Sequence, residues 1–232
     1  VMLQSMQIDD LLDRAHVVSL PLAVRFRGIT PREALLIEGP AGWGEFAPFL
    51  EYGPAESARW LAAGIEAAFE GFPEPVREWV EVNGTIPAVE DVEPVLARYP
   101  GVTTFKIKVA EKGQTLDDDL RRVAAVRQLR PDAKLRVDAN RGWSVDQAIE
   151  AAEKLGELEY IEQPCATVEE LAEVRRRTST AIAADESIRR AADPYRVAEL
   201  GAADVAVCKV APLGGVDKLL RTLRPPNFAQ QP

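Results

Sequence analysis

The chain has 232 residues, of which 47% are hydrophobic and 28% charged, and its 28 basic and 37 acidic residues give a formal net charge of −9. This composition is typical of a soluble globular protein with a real core, not of a disordered chain. The chain has no extended block of Lys and Arg, which argues against a nucleic-acid partner or an anionic membrane surface. No apolar segment approaches the ~20 residues of a spanning helix. Without a basic and apolar leader sequence, we expect a cytoplasmic protein.

Cysteine and histidine are too rare to support the chemistry that usually depends on them. Cys165 and Cys208 show no paired metal-binding spacing, and we expect both in the core. The single histidine, His16, has the apolar neighbours Val17 and Val18 and is expected to be structural. Any catalysis must therefore use carboxylates and lysines.

Residues 1–79 combine extended segments with one helix. Residues 16–29 and 32–38, with a Gly-Pro-Ala-Gly turn at 39–42, predict a small antiparallel sheet. The apolar spacing in residues 57–69 predicts a helix. We expect an α+β domain over residues 1–79.

From residue 80 onward, short apolar segments alternate with segments of helix length. The predicted strands are residues 82–86, 103–109, 134–137, 158–161, 181–184 and 204–207. The predicted helices are residues 116–129, 144–155, 168–176 and 194–200. Such alternation predicts a parallel sheet, either a (β/α) barrel or a doubly wound sheet, over residues 80–220. Residues 221–232 lose the pattern and are predicted to be an irregular tail.

An ionisable residue follows or ends each of four successive predicted strands. These residues are Asp138, Glu162, Asp185 and Lys209, with separations of 24, 23 and 24 residues. One strand-and-helix unit has about this length, so the four side chains are expected on one rim of a barrel. Three neighbouring carboxylates repel one another unless a cation compensates them. Ligation by carboxylate oxygens alone favours Mg²⁺.

Two lysines share one face of a predicted strand next to the one that carries Asp138. In the segment Thr104–Val109, Lys106 and Lys108 alternate with apolar residues. A lysine in such surroundings is a candidate general base, and Lys209 would face it across the barrel mouth. This arrangement suits removal of the proton α to the carboxylate of a small-molecule substrate.

Taken together, these motifs resemble the enolase superfamily and its muconate-lactonizing-enzyme subgroup. The matching segments are Lys106-Ile107-Lys108, Val137-Asp138-Ala139-Asn140, Ile161-Glu162-Gln163-Pro164, Ala184-Asp185-Glu186-Ser187 and Lys209. Residues 25–30, 42–49 and 82–88 are similar to the o-succinylbenzoate synthases of menaquinone biosynthesis. The likeness covers residues 15–220.

The resemblance implies an enolase-superfamily (β/α) barrel with an N-terminal α+β capping domain and Mg²⁺ as cofactor. It implies that Lys108 takes the α-proton as a base and then, as an acid, assists departure of the hydroxyl. It also implies that Lys106 holds and tunes Lys108 and that Lys209 stabilises the enediolate. It further implies Asp138, Glu162 and Asp185 as metal ligands, Asn140 and Glu186 as their supporting residues, and a substrate loop containing Arg25, Arg27 and Gly28. The implied reaction is dehydration of 2-succinyl-6-hydroxy-2,4-cyclohexadiene-1-carboxylate to 2-succinylbenzoate.

The pattern departs from the family at its end, because residues 80–232 hold six of the eight units of a complete barrel. The family form is expected to be a monomer, whereas open barrel edges favour association of this chain. Two alternatives stay open. One is an N-succinylamino acid racemase, dipeptide epimerase or cycloisomerase with the same lysines and metal, and the other is an inactive truncated product.

Overall fold

The computed structural model describes residues 7–26, 29–189 and 193–222, and only the backbone of residues 23–26. The chain divides into two compact units, one of Val1–Val76 with Cys208–Pro232 and the other of Arg77–Val207. Within the described ranges, no helix is both long and apolar enough to cross a bilayer.

The first unit contains an antiparallel sheet in the order β1–β2–β3. Its strands are β1 (Ala15–Phe26), β2 (Ile29–Gly39) and β3 (Gly42–Phe46), and its helices are α1 (Ile8–Leu12), α2 (Pro54–Ile65), which continues as a π-helical turn (Glu66–Glu70), α8 (Val210–Leu213) and α9 (Val216–Thr222). Helix α2 packs closely on β3, because a Cβ on Gly44 would lie 1.8 Å from the carbonyl oxygen of Gly64. Glycine is therefore required at Gly44 for this packing.

The second unit contains a parallel sheet in the order β4–β5–β6–β7–β8–β9. Its strands are β4 (Gly84–Ile86), β5 (Thr104–Lys108), β6 (Lys134–Asp138), β7 (Tyr160–Glu162), β8 (Ile182–Ala184) and β9 (Val205–Ala206). Its helices are α3 (Glu93–Leu96), α4 (Leu116–Leu129), α5 (Val145–Leu155), α6 (Val168–Arg177), a 3₁₀ turn (Glu186–Ile188) and α7 (Asp193–Glu199). The predicted strand and helix alternation with a parallel sheet is confirmed.

Local sequence explains where the longer helices begin. Ser144 and Thr167 cap α5 and α6, since each hydroxyl oxygen accepts a hydrogen bond from the backbone N–H three residues on. Gln147 and Glu170 complete both capping boxes by accepting from the backbone N–H of the cap residue. These capping boxes fix the loops that follow β6 and β7, so they help to place the residues at the strand ends.

The predicted domain boundaries at residues 79/80 and 220/221 stay predictions. The compact units divide instead after Val76, and residues from Cys208 onward group with the first unit. Lys209 immediately precedes α8 and lies three residues beyond the end of β9.

Candidate active site

Three of the predicted site residues are direct neighbours across the parallel sheet. Lys108 on β5 pairs in register with Asp138 on β6, and Asp138 pairs with Glu162 on β7. Each is the last residue of its strand. On β5, Phe105 and Ile107 point into the core and are fully buried, so Lys106 and Lys108 share the opposite face.

The ammonium groups of both lysines contact buried carboxylates. Lys106 Nζ lies 3.0 and 3.1 Å from the two carboxylate oxygens of Glu162 and 3.3 Å from Asp138 Oδ2. Lys108 Nζ lies 2.6 Å from the same Asp138 oxygen and 2.5 Å from Asn140 Oδ1. Since Asp138 and Glu162 are each only 1% exposed, these contacts compensate two charges that burial would otherwise make costly.

Lys106, Lys108, Asp138 and Glu162 form a row of charged residues at the ends of β5, β6 and β7. The pKa values of Glu162 and Lys106 are both shifted within this row. Burial raises the pKa of the Glu162 carboxyl, and the negative charges of Asp138 and Asp185 raise it further against the opposing effect of Lys106. Burial also opposes the charged form of Lys106, but the carboxylates of Glu162 and Asp138 outweigh it and raise the pKa of Lys106. Positive charge is favoured at this place in the fold.

A second group of polar side chains lies beside the row. Asn140 Nδ2 donates to Glu186 Oε1 at 3.0 Å, and Arg189 lies 3.3 Å from the same oxygen and 3.8 Å from Asp185 Oδ2. Glu186 Oε2 is buried and has no hydrogen-bond partner. Asn140 links this group to the row, because its side-chain oxygen accepts from Lys108.

The donor chemistry of the site fits a hard divalent ion. Asp138, Glu162 and Asp185 offer only carboxylate oxygens, and the negative charges of Asp138 and Asp185 raise the pKa of Glu162. Among the residues that the structure describes, however, no three acidic, histidine or cysteine side chains are gathered into a metal cage. The cation between Asp138 and Glu162 is here the ammonium of Lys106, so a metal ion that enters competes with this group for the same oxygens.

Unusual backbone conformations mark the same edge of the sheet. The described non-glycine residues with positive φ are Ala110 (57°), Asn140 (44°), Arg141 (70°) and Gln163 (39°). All four lie within three residues of the ends of β5, β6 and β7. Because such conformations are unfavourable for residues with a Cβ and tend to persist at functional sites, they support this edge as the active region.

A buried ion pair that the sequence did not predict, between Asp119 and Arg122, supports the Lys108 end of β5. Arg122 Nη1 donates to the carbonyl oxygen of Lys108 at 2.9 Å and to Asp119 Oδ1 at 2.8 Å. Asp119 Oδ2 accepts from the backbone N–H of Ala110 at 2.9 Å. The sequence contains a sign of this ion pair, because Asp119 and Arg122 lie on the apolar face of α4 together with Val123.

The remaining predicted residues lie in the other compact unit or outside the described residues. Lys209 belongs to the other compact unit. Arg25 lies in β1, where the structure describes only the backbone, while Arg27 and Gly28 lie outside the described residues. Their roles stay predictions.

The sequence matches two known domain families. The family described as "Enolase C-terminal domain-like" matches residues 89–224, and "Enolase N-terminal domain-like" matches residues 17–68. The chain is 61% identical to an o-succinylbenzoate synthase of Mycolicibacterium smegmatis over 92% of its own length and 67% of the relative's. It is 63% identical to one of Mycobacterium marinum over 92% of this chain and 66% of that protein. The chain thus spans about two thirds of the length of these curated relatives.

Solved structures show the same fold. An o-succinylbenzoate synthase from Thermosynechococcus elongatus, complexed with Mg in its active site, has a TM-score of 0.71 and 26% identity over 90% of this chain and 79% of that one. Muconate lactonizing enzyme from Pseudomonas putida has a TM-score of 0.71 and 25% identity over 90% of this chain and 74% of that enzyme. The expected enolase-superfamily (β/α) barrel architecture is confirmed, with six parallel strands in the described residues.

Proposed function

Because the chain belongs to the o-succinylbenzoate synthase family of the enolase superfamily, we propose that it is a lyase that acts on a small carboxylate in the cytoplasm. The proposed reaction is the Mg²⁺-dependent dehydration of 2-succinyl-6-hydroxy-2,4-cyclohexadiene-1-carboxylate to 2-succinylbenzoate, a step of menaquinone biosynthesis. The observation that carries the proposal is the row of Lys108, Asp138 and Glu162 in register across three adjacent strands.

Lys108 is the proposed base and acid. As a neutral amine it has two N–H groups and one lone pair, and the structure provides two acceptors, Asp138 Oδ2 and Asn140 Oδ1. With both N–H groups held, the lone pair is left for the α-proton. The C–H bond breaks, the proton moves to Nζ, and the electron pair enters the substrate carboxylate to give an enediolate. The same proton then leaves with the substrate hydroxyl as water, so that the overall change is loss of one water and aromatisation of the ring.

Asp138, Glu162 and Asp185 are the proposed Mg²⁺ ligands. A bound Mg²⁺ would supply the positive charge that stabilises negative charge on the substrate carboxylate. Lys106, paired with Glu162 and Asp138, holds positive charge beside these carboxylates and beside Lys108. The resemblance to the family supports Lys209 as a second cation for the enediolate, and the segment with Arg25, Arg27 and Gly28 as a substrate loop.

The test is turnover by the purified chain. With Mg²⁺ present, we expect the cyclohexadiene substrate to be consumed and 2-succinylbenzoate to form in equal amount, and we expect EDTA to stop the reaction. Lys108→Ala serves as the matched inactive variant. Racemisation of an N-succinylamino acid without dehydration would favour the racemase alternative, and Mg²⁺ binding without either reaction would contradict the proposed function.

A further inference from the structure

The backbone of Gln163 connects the ends of three strands. Its N–H donates to the carbonyl oxygen of Ala183 on β8 at 2.8 Å, and its carbonyl oxygen accepts from the N–H of Arg141, just after β6, at 2.8 Å. Gln163 itself directly follows Glu162, the last residue of β7. Asp138 ends β6, Glu162 ends β7 and Asp185 directly follows β8, so each strand places one carboxylate of the proposed metal site.

The side chain of Gln163 adds four hydrogen bonds at the same place. Its Oε1 accepts from the backbone N–H groups of Asp185 at 3.0 Å and Ser187 at 3.1 Å. Its Nε2 donates to the carbonyl oxygen of Cys165 at 3.0 Å and to Ser187 Oγ at 2.7 Å. These four hydrogen bonds use both N–H donors and both oxygen lone pairs of the glutamine amide.

The surroundings show that this arrangement is specific to glutamine. Gln163 is 0% exposed, so replacing its amide with an apolar group leaves the partners unsatisfied in the interior. Its φ of 39° lies in the left-handed region, a conformation that only strong surrounding contacts maintain in a residue with a Cβ. Asparagine is one methylene shorter and would not span the same partners.

We infer that Gln163 is a positioning residue that locks the ends of β6, β7 and β8 together and thereby sets the relative places of Asp138, Glu162 and Asp185. This inference rests on the proposed metal site. Gln163 acts through the backbone amides around Asp185 and needs no contact with substrate or metal. Residues that orient metal ligands in this way typically change metal affinity by 10- to 100-fold when replaced.

The experiment compares Gln163→Met with the unaltered chain by titration calorimetry with Mg²⁺ alone and by amide hydrogen exchange. We expect Mg²⁺ affinity to fall by about 10- to 100-fold and exchange to become faster at the N–H groups of Asp185 and Ser187. If Gln163→Met does not fold, Gln163→Asn is expected to show the same loss.

Val174→Ala is the matched control, because Val174 is fully buried on α6 and its truncation destabilises the same unit while leaving the Gln163 hydrogen bonds in place. We expect it to lower the melting temperature while leaving Mg²⁺ affinity within twofold of the unaltered chain. An equal loss of affinity in Val174→Ala, or unchanged affinity in Gln163→Met, overturns the inference.

These measurements need no substrate, so they separate the inference from the proposed reaction. If the unaltered chain binds Mg²⁺ but does not dehydrate the substrate, the proposed function is wrong. The Mg²⁺ affinities of the variants then still decide the role of Gln163. An unaltered chain that binds no Mg²⁺ overturns the inference itself.

Discussion

The ammonium of Lys106 donates to both carboxylate oxygens of Glu162, at 3.0 and 3.1 Å, across the intervening strand β6. The same ammonium lies 3.3 Å from Asp138. A side chain thus supplies positive charge at the place where a divalent ion would be attracted. This relationship makes Lys106 both a partner of the carboxylates and a competitor of the metal.

Replacing Lys106 with methionine is therefore expected to strengthen Mg²⁺ binding while lowering turnover. Removal of the ammonium leaves Glu162 without this compensating charge, while Asp138 keeps Lys108 as a partner, so the gain on binding a cation increases. Calorimetric titration with Mg²⁺ measures the first effect and steady-state kinetics the second. Lys134→Met, at the exposed start of β6, is the control and should change neither. Weaker Mg²⁺ binding in Lys106→Met would contradict the competition.

Each proposed ligand is expected to be needed for both metal binding and activity. Asp138→Asn, Glu162→Gln and Asp185→Asn remove one charged oxygen ligand each and should abolish turnover and weaken Mg²⁺ binding. The control is Asp146→Asn, since Asp146 is an exposed residue of α5 that pairs with Arg177 at 3.2 Å. Full activity in EDTA would be incompatible with this prediction.

Lys108→Ala is expected to lower turnover by at least ~10²–10⁴-fold, because it removes the positioned base, which also serves as the acid. It should also stop exchange of the substrate α-proton with solvent, which proton NMR in D₂O measures. Lys108→Arg should not restore the reaction, because a guanidinium stays protonated. Near-normal turnover by Lys108→Arg would show that another residue is the base.

The buried ion pair of Asp119 and Arg122 on α4 is expected to stabilise the folded state. Arg122→Met leaves Asp119 as an uncompensated buried charge, which should lower the free energy of unfolding by about 3–5 kcal/mol. Urea unfolding followed by circular dichroism measures this. Arg121→Met, one residue earlier on the exposed face and paired with Asp118, should change it by less than ~1 kcal/mol. Equal changes in the free energy of unfolding for the two variants would show that the buried ion pair contributes no more than the exposed one.

Asp204 is expected to contribute to loss of stability in acid. Burial raises the pKa of its carboxyl, but hydrogen bonds from Arg175 and the backbone N–H of Ile182, at 2.8 and 2.9 Å, outweigh this and lower the pKa below the ordinary 3.8. A lowered pKa in the folded state means that the stabilisation is present above pH ~3.8 and is lost as the pH falls through the folded-state value.

Urea midpoints measured from pH 7 downward should therefore fall more steeply for the unaltered chain than for Asp204→Asn below pH ~4. Asp132→Asn, an exposed residue of the turn before β6, is the control and should follow the unaltered chain. Parallel curves for the unaltered chain and Asp204→Asn would rule out this contribution.

The sequence alone determined the alternation of strands and helices and the order of the charged residues along one sheet edge. The predicted helix over residues 116–129 coincides with α4, and the six predicted strands of the parallel sheet differ from the observed ones by at most two residues at either end. Local patterns suffice here, because apolar periodicity fixes the element type and the nearly constant unit length fixes which residues reach the strand ends. Asp138 and Glu162 could be placed side by side on that basis.

Only the tertiary structure decided which side chains contact one another. The pairing of Lys106 with Glu162, 56 residues away, depends on the register of three strands. The burial of Arg122 and the four hydrogen bonds of Gln163 depend on how loops pack against those strands. Spacing along the chain carries no information about such contacts, since hydrogen bonds are decided by distances of a few tenths of an ångström between groups that the fold brings together.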